Sequence, residues 1–135
     1  MLQELINETE VCVCIDGGIA RDDQSAIENK LLSLVNDSKC NIVITSGGVS
    51  MGNRDFIKPL LEKIGTVHFG RMLMKPGLPT TFATVHKDNQ QNTLSTLVFA
   101  LPGNPVSCYV TFHLLVLPAI WKIAGLPTRR WTLPP

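Results

Sequence analysis

The chain has 135 residues and a mass of 14.8 kDa, which is room for one domain rather than two. Hydrophobic residues make up 44% and charged residues 17%, a composition that excludes a disordered tail and needs no disulfide or metal to fold. The net charge of +1 argues against a dedicated nucleic-acid binder. The sum hides a segregation: residues 1–40 carry 3 basic and 8 acidic side chains, residues 41–135 carry 9 basic and 3 acidic. An anion site is therefore expected in the second part.

In chain order, Leu2, Leu5 and Ile6 place Met1–Asn7 on a helix. Val11–Ile15 alternates as a short strand, and Gly17-Gly18 turns the chain. Asp22 or Asp23 is placed to cap a helix over Gln24–Val35, whose Ile27, Leu31, Leu32, Leu34 and Val35 form an apolar stripe. Asn41–Thr45 reads as a continuous apolar strand of the kind buried on both faces. Arg54–Ile64 reads as a helix. Thr66–Met74 and Thr80–His86 read as strands around the turn Lys75-Pro-Gly-Leu-Pro79, and Asp88–Asn92 as a polar turn. Leu94–Leu101 is a further buried strand, and Asn104–Ala124 a long apolar helix. Strands separated by helices predict an α/β fold with a mostly parallel sheet and helices on both faces.

Cys12, Cys14, Cys40 and Cys108 stand in no metal-ligand spacing with His68, His86 or His113, so they read as small buried hydrophobes. The first residues lack the basic and apolar regions of a signal peptide, so a cytoplasmic protein is expected. Pro105–Trp121 carries no formal charge, but Ser107, Thr111, His113 and Pro118 interrupt it. A helix packed on the sheet is expected there rather than a membrane span.

Ligands of open α/β sheets bind at the carboxyl ends of strands, which selects two loops. Thr45-Ser-Gly-Gly-Val-Ser-Met-Gly52 leaves one buried strand and enters a helix. Gly47 and Gly48 admit a ligand close to the backbone, Ser46 and Ser50 add hydroxyls, and the helix start adds a positive dipole end. Leu101-Pro-Gly-Asn-Pro-Val-Ser107 leaves another, with Asn104 as N-cap, Pro105 in the first turn and Ser107 at the same mouth. Neither is a Walker or dinucleotide-binding loop. Arg71 and Lys75, four apart on a strand, share a side, and Lys75 sits on a stiff Pro-Gly turn where a compact cation can hold an oxyanion. Asp55, behind the first loop, reads equally as a helix-dipole partner or cap and as a Mg²⁺ ligand or an orienter of the lysine. Asp22-Asp23 approach the same sheet edge, and a carboxylate beside an anion is useful mainly where a hard cation bridges them.

Ser46-Gly-Gly-Val-Ser-Met-Gly-x-x-Asp55, Met74-Lys-Pro-Gly-x-Pro79 and Leu101-Pro-Gly-Asn-Pro-Val-Ser107 together resemble the MoeA/gephyrin family of molybdopterin molybdotransferases. Phe56, Lys58-Pro59-Leu60-Leu61 and Phe82-Ala83 resemble its eukaryotic members. The resemblance implies the three-layer α/β/α molybdopterin-binding domain. It also implies a reaction of molybdenum cofactor biosynthesis: Mg²⁺-dependent insertion of molybdate into adenylylated molybdopterin, with release of AMP. By position, Ser50, Lys75, Pro79 and Ser107 match the family's oxyanion contacts. Asp22 and Asp55 match its acidic, Mg²⁺-associated positions, and Arg71 matches a basic residue of the pterin cleft. Gly47, Gly48, Gly103, Asn104 and Pro105 complete the expected substrate-binding set, with Asp55, Lys75 and Asp22 as its catalytic members. A homodimer or trimer is implied as well, and a membrane-receptor partner by gephyrin analogy alone.

The chain departs from the pattern in places. Leu78 stands where plant and bacterial members often carry a second lysine. The family's opening strand with its Thr-Gly-Asp-Glu-Leu loop is missing, so the domain reads as residues 1–125, incomplete at its start. Residues 126–135 read as an extended exit toward a C-terminal β domain that is absent. Two alternatives are weighed. The adenylyltransferase of the same pathway shows Gly-Gly-Thr-Gly where this chain has Gly47-Gly48-Val49-Ser50, and it lacks the Lys-Pro-Gly turn. A non-catalytic gephyrin-like scaffold or substrate-binding fragment is the other.

Overall fold

The computed structural model describes residues 1–18, 23–36, 40–46, 57–69, 80–86 and 95–125. Its helices are α1 (Leu2–Glu8), α2 (Gln24–Asn36), α3 (Ile57–Ile64), α4 (Pro105–Thr111) and α5 (Leu117–Ile123), and its strands are β1 (Ile42–Ser46), β2 (Thr66–Phe69), β3 (Thr81–His86) and β4 (Ser95–Leu101). The four strands form one sheet in the order β1-β4-β3-β2.

The alternation along β4 builds a layer on each face. Val98 and Ala100 join Leu31, Val35, Ile57, Leu60, Leu61, Ala83 and Val85 in a core beneath α2 and α3. Thr96 is buried on the same side, where its hydroxyl donates to the Val35 carbonyl at 3.3 Å. Phe99 and Leu101 face the other way, into a core with Cys108, Phe112, Val116 and Ile120, against which Leu2, Leu5 and Ile6 of α1 pack. The result is the expected three-layer α/β/α arrangement. Asp23 caps α2: its side chain accepts the Ser25 N–H at 3.1 Å. The Lys63–Glu28 ion pair at 3.2 Å joins α3 to α2, but its lysine is exposed, so it adds little.

Three expectations are corrected. The sheet is mixed rather than mostly parallel: β1 pairs β4 in parallel, whereas β3 runs antiparallel to both β4 and β2. Parallel neighbours need a crossover of a dozen or more residues, and residues 87–94 between β3 and β4 are too few. Val11–Ile15 is not a strand of the sheet. It joins no ladder among the described residues, and Val13 is 89% exposed, because a cavity lies between it and β1. Of the four cysteines only Cys108 is buried; Cys12 is exposed, Cys14 and Cys40 are half-buried, and all four are free thiols. Burial pushes the Cys108 thiol above its ordinary value, and burial followed by the neighbouring Cys12 and Asp16 does so for Cys14.

The helix over Pro105–Ile123 is long and apolar enough to cross a membrane by length and composition. Here its inner stripe, Cys108, Phe112, Val116 and Ile120, covers the sheet, as the packed-helix reading expects. Between α4 and α5 the chain makes a π turn over Phe112–Val116, where the Leu117 N–H reaches back to the Phe112 carbonyl. Pro118 has no N–H to give Leu114 and its ring crowds that carbonyl, so the preceding turn widens. Thr111 donates its hydroxyl to the Ser107 carbonyl at 2.7 Å and the Cys108 carbonyl at 3.2 Å, which is how a buried threonine is satisfied inside a helix.

Candidate functional site

The register of the parallel pair sets Ser46 opposite Leu101. The two glycine loops therefore leave neighbouring strands side by side, about 4.8 Å apart, although 55 residues of sequence separate their starting points. Because β3 is antiparallel, its first residue, Thr81, pairs with Ala100 at this same edge. Thr80 beside it is fully buried. The end of β2 also lies here, since Phe69 pairs with Phe82. Residues 47–56, 70–79 and 102–107 all attach to one edge of the sheet.

A cavity of about 1270 Å³ opens at that edge. Asp16, Gly17, Gly18, Thr45, Ser46, Gly103 and Pro105 line this end of it. Of the expected site residues, Gly103, Asn104, Pro105 and Ser107 are described. Asp22, Gly47, Gly48, Ser50, Asp55, Arg71, Lys75 and Pro79 lie outside the described residues.

Asn104 is the N-cap of α4, with Pro105 at its first position. The Asn104 side-chain oxygen accepts from the Val106 N–H at 3.0 Å and the Ser107 N–H at 3.3 Å. The Cys108 N–H bonds the Asn104 carbonyl at 2.8 Å. This changes the expected role of the helix start. Its first-turn donors are already satisfied by its own cap, so what it offers an anion is the dipole and the half-buried Ser107 hydroxyl. Asn104→Ala is expected to cost about 1 kcal/mol of stability, read from the urea midpoint. No change would mean that water caps the helix equally well.

Two groups at this mouth carry no signal that singles them out in sequence. Asp16 lies in what reads as a plain turn. Its carboxylate accepts the Gly18 N–H at 2.8 Å. That bond, then one from the Gln3 side chain, with Lys30 nearby, holds its carboxyl below the usual range. An Asp two residues before a glycine marks the Asx turn itself, but nothing in that pattern marks a cavity wall. Thr45 is the next-to-last residue of β1, and its Oγ1 is buried with no hydrogen-bond partner among the described residues. Thr45→Val should leave stability unchanged or raise it by up to about 1 kcal/mol, because it deletes an unpaired buried hydroxyl. A loss in thermal unfolding above that figure would show that the hydroxyl has a partner. Among the described residues, no group of three or more His, Cys, Asp or Glu side chains could hold a metal ion.

The family described as "Probable molybdopterin binding domain" matches residues 1–122. The chain is 47% identical over 137 aligned residues to a Dictyostelium discoideum protein named gephyrin, covering 93% of this chain and 19% of that protein. It is 39% identical over 132 residues to a molybdopterin molybdenumtransferase of Haemophilus influenzae, covering 98% of this chain and 30% of that protein. To the Drosophila melanogaster molybdenum cofactor synthesis protein cinnamon it is 44% identical over 131 residues, covering 93% and 19%. The chain thus spans less than a third of the length of these relatives. A three-layer domain whose two glycine loops open at one sheet edge, matched over nearly its whole length, belongs to the molybdopterin-binding domain family that gephyrin and the molybdopterin molybdenumtransferases share.

Proposed function

We propose that this domain binds adenylylated molybdopterin and molybdate at the carboxyl edge of β1 and β4, and serves a molybdopterin molybdenumtransferase that inserts molybdenum and releases AMP. The observation that carries the reading is the Ser46–Leu101 register, which starts both glycine loops at one point. The chemistry follows from charge. Both substrates are oxyanions, and the basic side chains of residues 41–135 include Arg71 and Lys75, whose segment attaches to the same edge. Lys75 gives a compact cation on a stiff turn and Arg71 a bidentate fork. Ser50 and Ser107 supply hydroxyl donors, and the dipole of the helix behind Asn104 adds a fixed positive end.

Asp22 and Asp55 are the carboxylates assigned to Mg²⁺, a hard cation that takes oxygen ligands and commonly shares them with substrate phosphates. When bound it would neutralise charge on the phosphate oxygens. The domain occupies residues 1–125 in this reading, and residues 126–135 lead out of it.

The test is incubation of the chain with adenylylated molybdopterin, molybdate and Mg²⁺. Molybdate-dependent release of AMP is the expected result. Binding without release would mark a substrate-binding domain that needs the rest of the relatives' length to turn over. Absence of pterin binding would sink the site assignment. Lys75→Ala should weaken oxyanion binding by about 1–3 kcal/mol, read by titration calorimetry. An unchanged affinity would make Lys75 a solvated surface charge.

A further inference from the structure

Among the described residues, one basic side chain lines the cavity, that of Lys30 in α2. The direction of α2 decides where it reaches. Thr96, near the start of β4, bonds the Val35 carbonyl near the end of α2. The helix therefore runs opposite to β4, and its first turns point toward the functional edge. Side chains on a helix lean toward its N-terminus, so Lys30 extends toward that edge.

The Gly17-Gly18 turn marks where the side chain ends. A Cβ at Gly17 would meet Leu34 Cδ1 at 3.0 Å, and one at Gly18 would meet Lys30 Nζ at 3.2 Å. Lys30 and Leu34 are one helical turn apart and share a face. The leucine packs against the turn, and the ammonium stands at its rim. Gly18 has φ +82°, a conformation that suits glycine, and its N–H donates to the Asp16 carboxylate at 2.8 Å.

A carboxylate and an ammonium thus flank a single residue at the mouth, and both side chains are exposed. Among the described residues Lys30 enters no ion pair. The Gly18 N–H, then the Gln3 side chain, hold the Asp16 carboxyl below its usual range, so it is ionised at neutral pH and acts only as an acceptor. A carboxylate offers about four acceptor sites, and Gly18 and Gln3 occupy two of them. The rest, with the ammonium donors, line the same opening.

An oxyanion by itself is a poor match for this pair, because Asp16 would repel it. A ligand with N–H donors and a carbonyl side by side satisfies both groups. The pyrimidinone ring of a pterin has that edge: its amino group and ring N–H donate, and the neighbouring carbonyl accepts. The turn between the two side chains carries no Cβ, so a flat ring can approach its backbone.

We propose that Asp16 and Lys30 read the pyrimidinone edge of the pterin. The Asp16 carboxylate accepts from the amino group and the ring N–H, and the Lys30 ammonium donates to the ring carbonyl. The inference rests on the pterin reading above and deepens it: the oxyanion contacts hold the phosphate and molybdate, and this pair selects the ring.

The probes are hydroxymethylpterin and hydroxymethyllumazine, in which a carbonyl replaces the amino group. Each is titrated with the intact chain and followed by its own fluorescence. The pterin should bind at least about tenfold more tightly, because the lumazine turns an acceptor toward Asp16. Asp16→Asn should erase that preference. Its side-chain oxygen can still accept the Gly18 N–H, so a role confined to the turn would leave the preference intact. Lys30→Met should weaken both ligands about tenfold, and Lys30→Arg should restore them. A preference that survives Asp16→Asn would overturn the proposal. Tighter binding of adenylylated molybdopterin by Asp16→Asn would also overturn it, since the mouth would then be a plain oxyanion site. If the intact chain binds adenylylated molybdopterin but neither small ring, the role of the pair falls alone. If it binds none of the three, the pterin reading falls with it.

Discussion

Gly65→Ala is expected to lower stability by about 3 kcal/mol, at the upper end of the cost of overpacking. Gly65 sits between α3 and β2, and its N–H closes the helix on the Leu61 carbonyl at 2.9 Å. A Cβ there would collide with the Thr84 carbonyl oxygen and lie 2.8 Å from Val85 Cγ2. Thr84 is held by both neighbours in the sheet, opposite Thr66 of β2 and Leu97 of β4. The oxygen therefore cannot retreat without breaking ladder pairs, and a rotamer change cannot relieve the contact. The other escape, a shift of α3, would pull buried Leu60 and Leu61 from the core. A loss of this size is a large share of the 5–15 kcal/mol typical of a domain. Urea denaturation followed by circular dichroism measures it. Gly125→Ala is the control: a Cβ there meets nothing within 4 Å, but the residue has φ +77°, a conformation that costs about 1–2 kcal/mol for an L side chain. A smaller loss for Gly65→Ala than for Gly125→Ala would show that β3 yields.

Much of this arrangement is legible in the chain because its signals are local. The run Leu97–Leu101 has apolar residues on both faces, and a strand with that pattern has to be covered twice, as β4 is. Asn104-Pro105 carries its capping chemistry in adjacent residues, so the start of the long helix can be placed from sequence. Val11–Ile15 fails for the opposite reason. Its alternation is that of a strand, but a strand is defined by a partner ladder, and partners are not local. Strand direction is equally invisible in composition and depends on how much chain is available to cross over. At the site, the Ser–Gly–Gly and Pro–Gly–Asn–Pro motifs identify the two loops, but only the parallel register puts them side by side. The use of the Val106 and Ser107 N–H groups by Asn104 is likewise a matter of geometry. The motif announces a helix start near an anion, and the cap removes the donors on which that expectation leans. Asp16 and Thr45 stay hidden because nothing in a turn Asp or a strand Thr distinguishes a cavity wall from a surface.

Phe112→Ala is expected to cost about 3–5 kcal/mol and to reach the site through the long helix. Phe112 is 1% exposed and packs with Phe99, Leu101, Cys108, Val116 and Ile120. It stands at the first position of the π turn, where the regular backbone bonding of α4 gives way. Its removal leaves a cavity beneath the helix whose N-terminal cap adjoins Gly103, while the core under α2 and α3 keeps its contacts. The helix is the element that holds Ser107 and the cap at the sheet edge, so loosening its inner face should displace the second glycine loop more than the first. Val85→Ala supplies the comparison. Val85 is 2% exposed in the other core and pairs with Thr96, toward the far end of β4 from Leu101. Its loss of two methyl groups should cost about 2 kcal/mol. With both variants held well below their unfolding midpoints, pterin affinity should fall at least tenfold for Phe112→Ala and stay within twofold for Val85→Ala. Equal losses would mean that the loop is positioned by the stability of the whole domain rather than by the helix behind it.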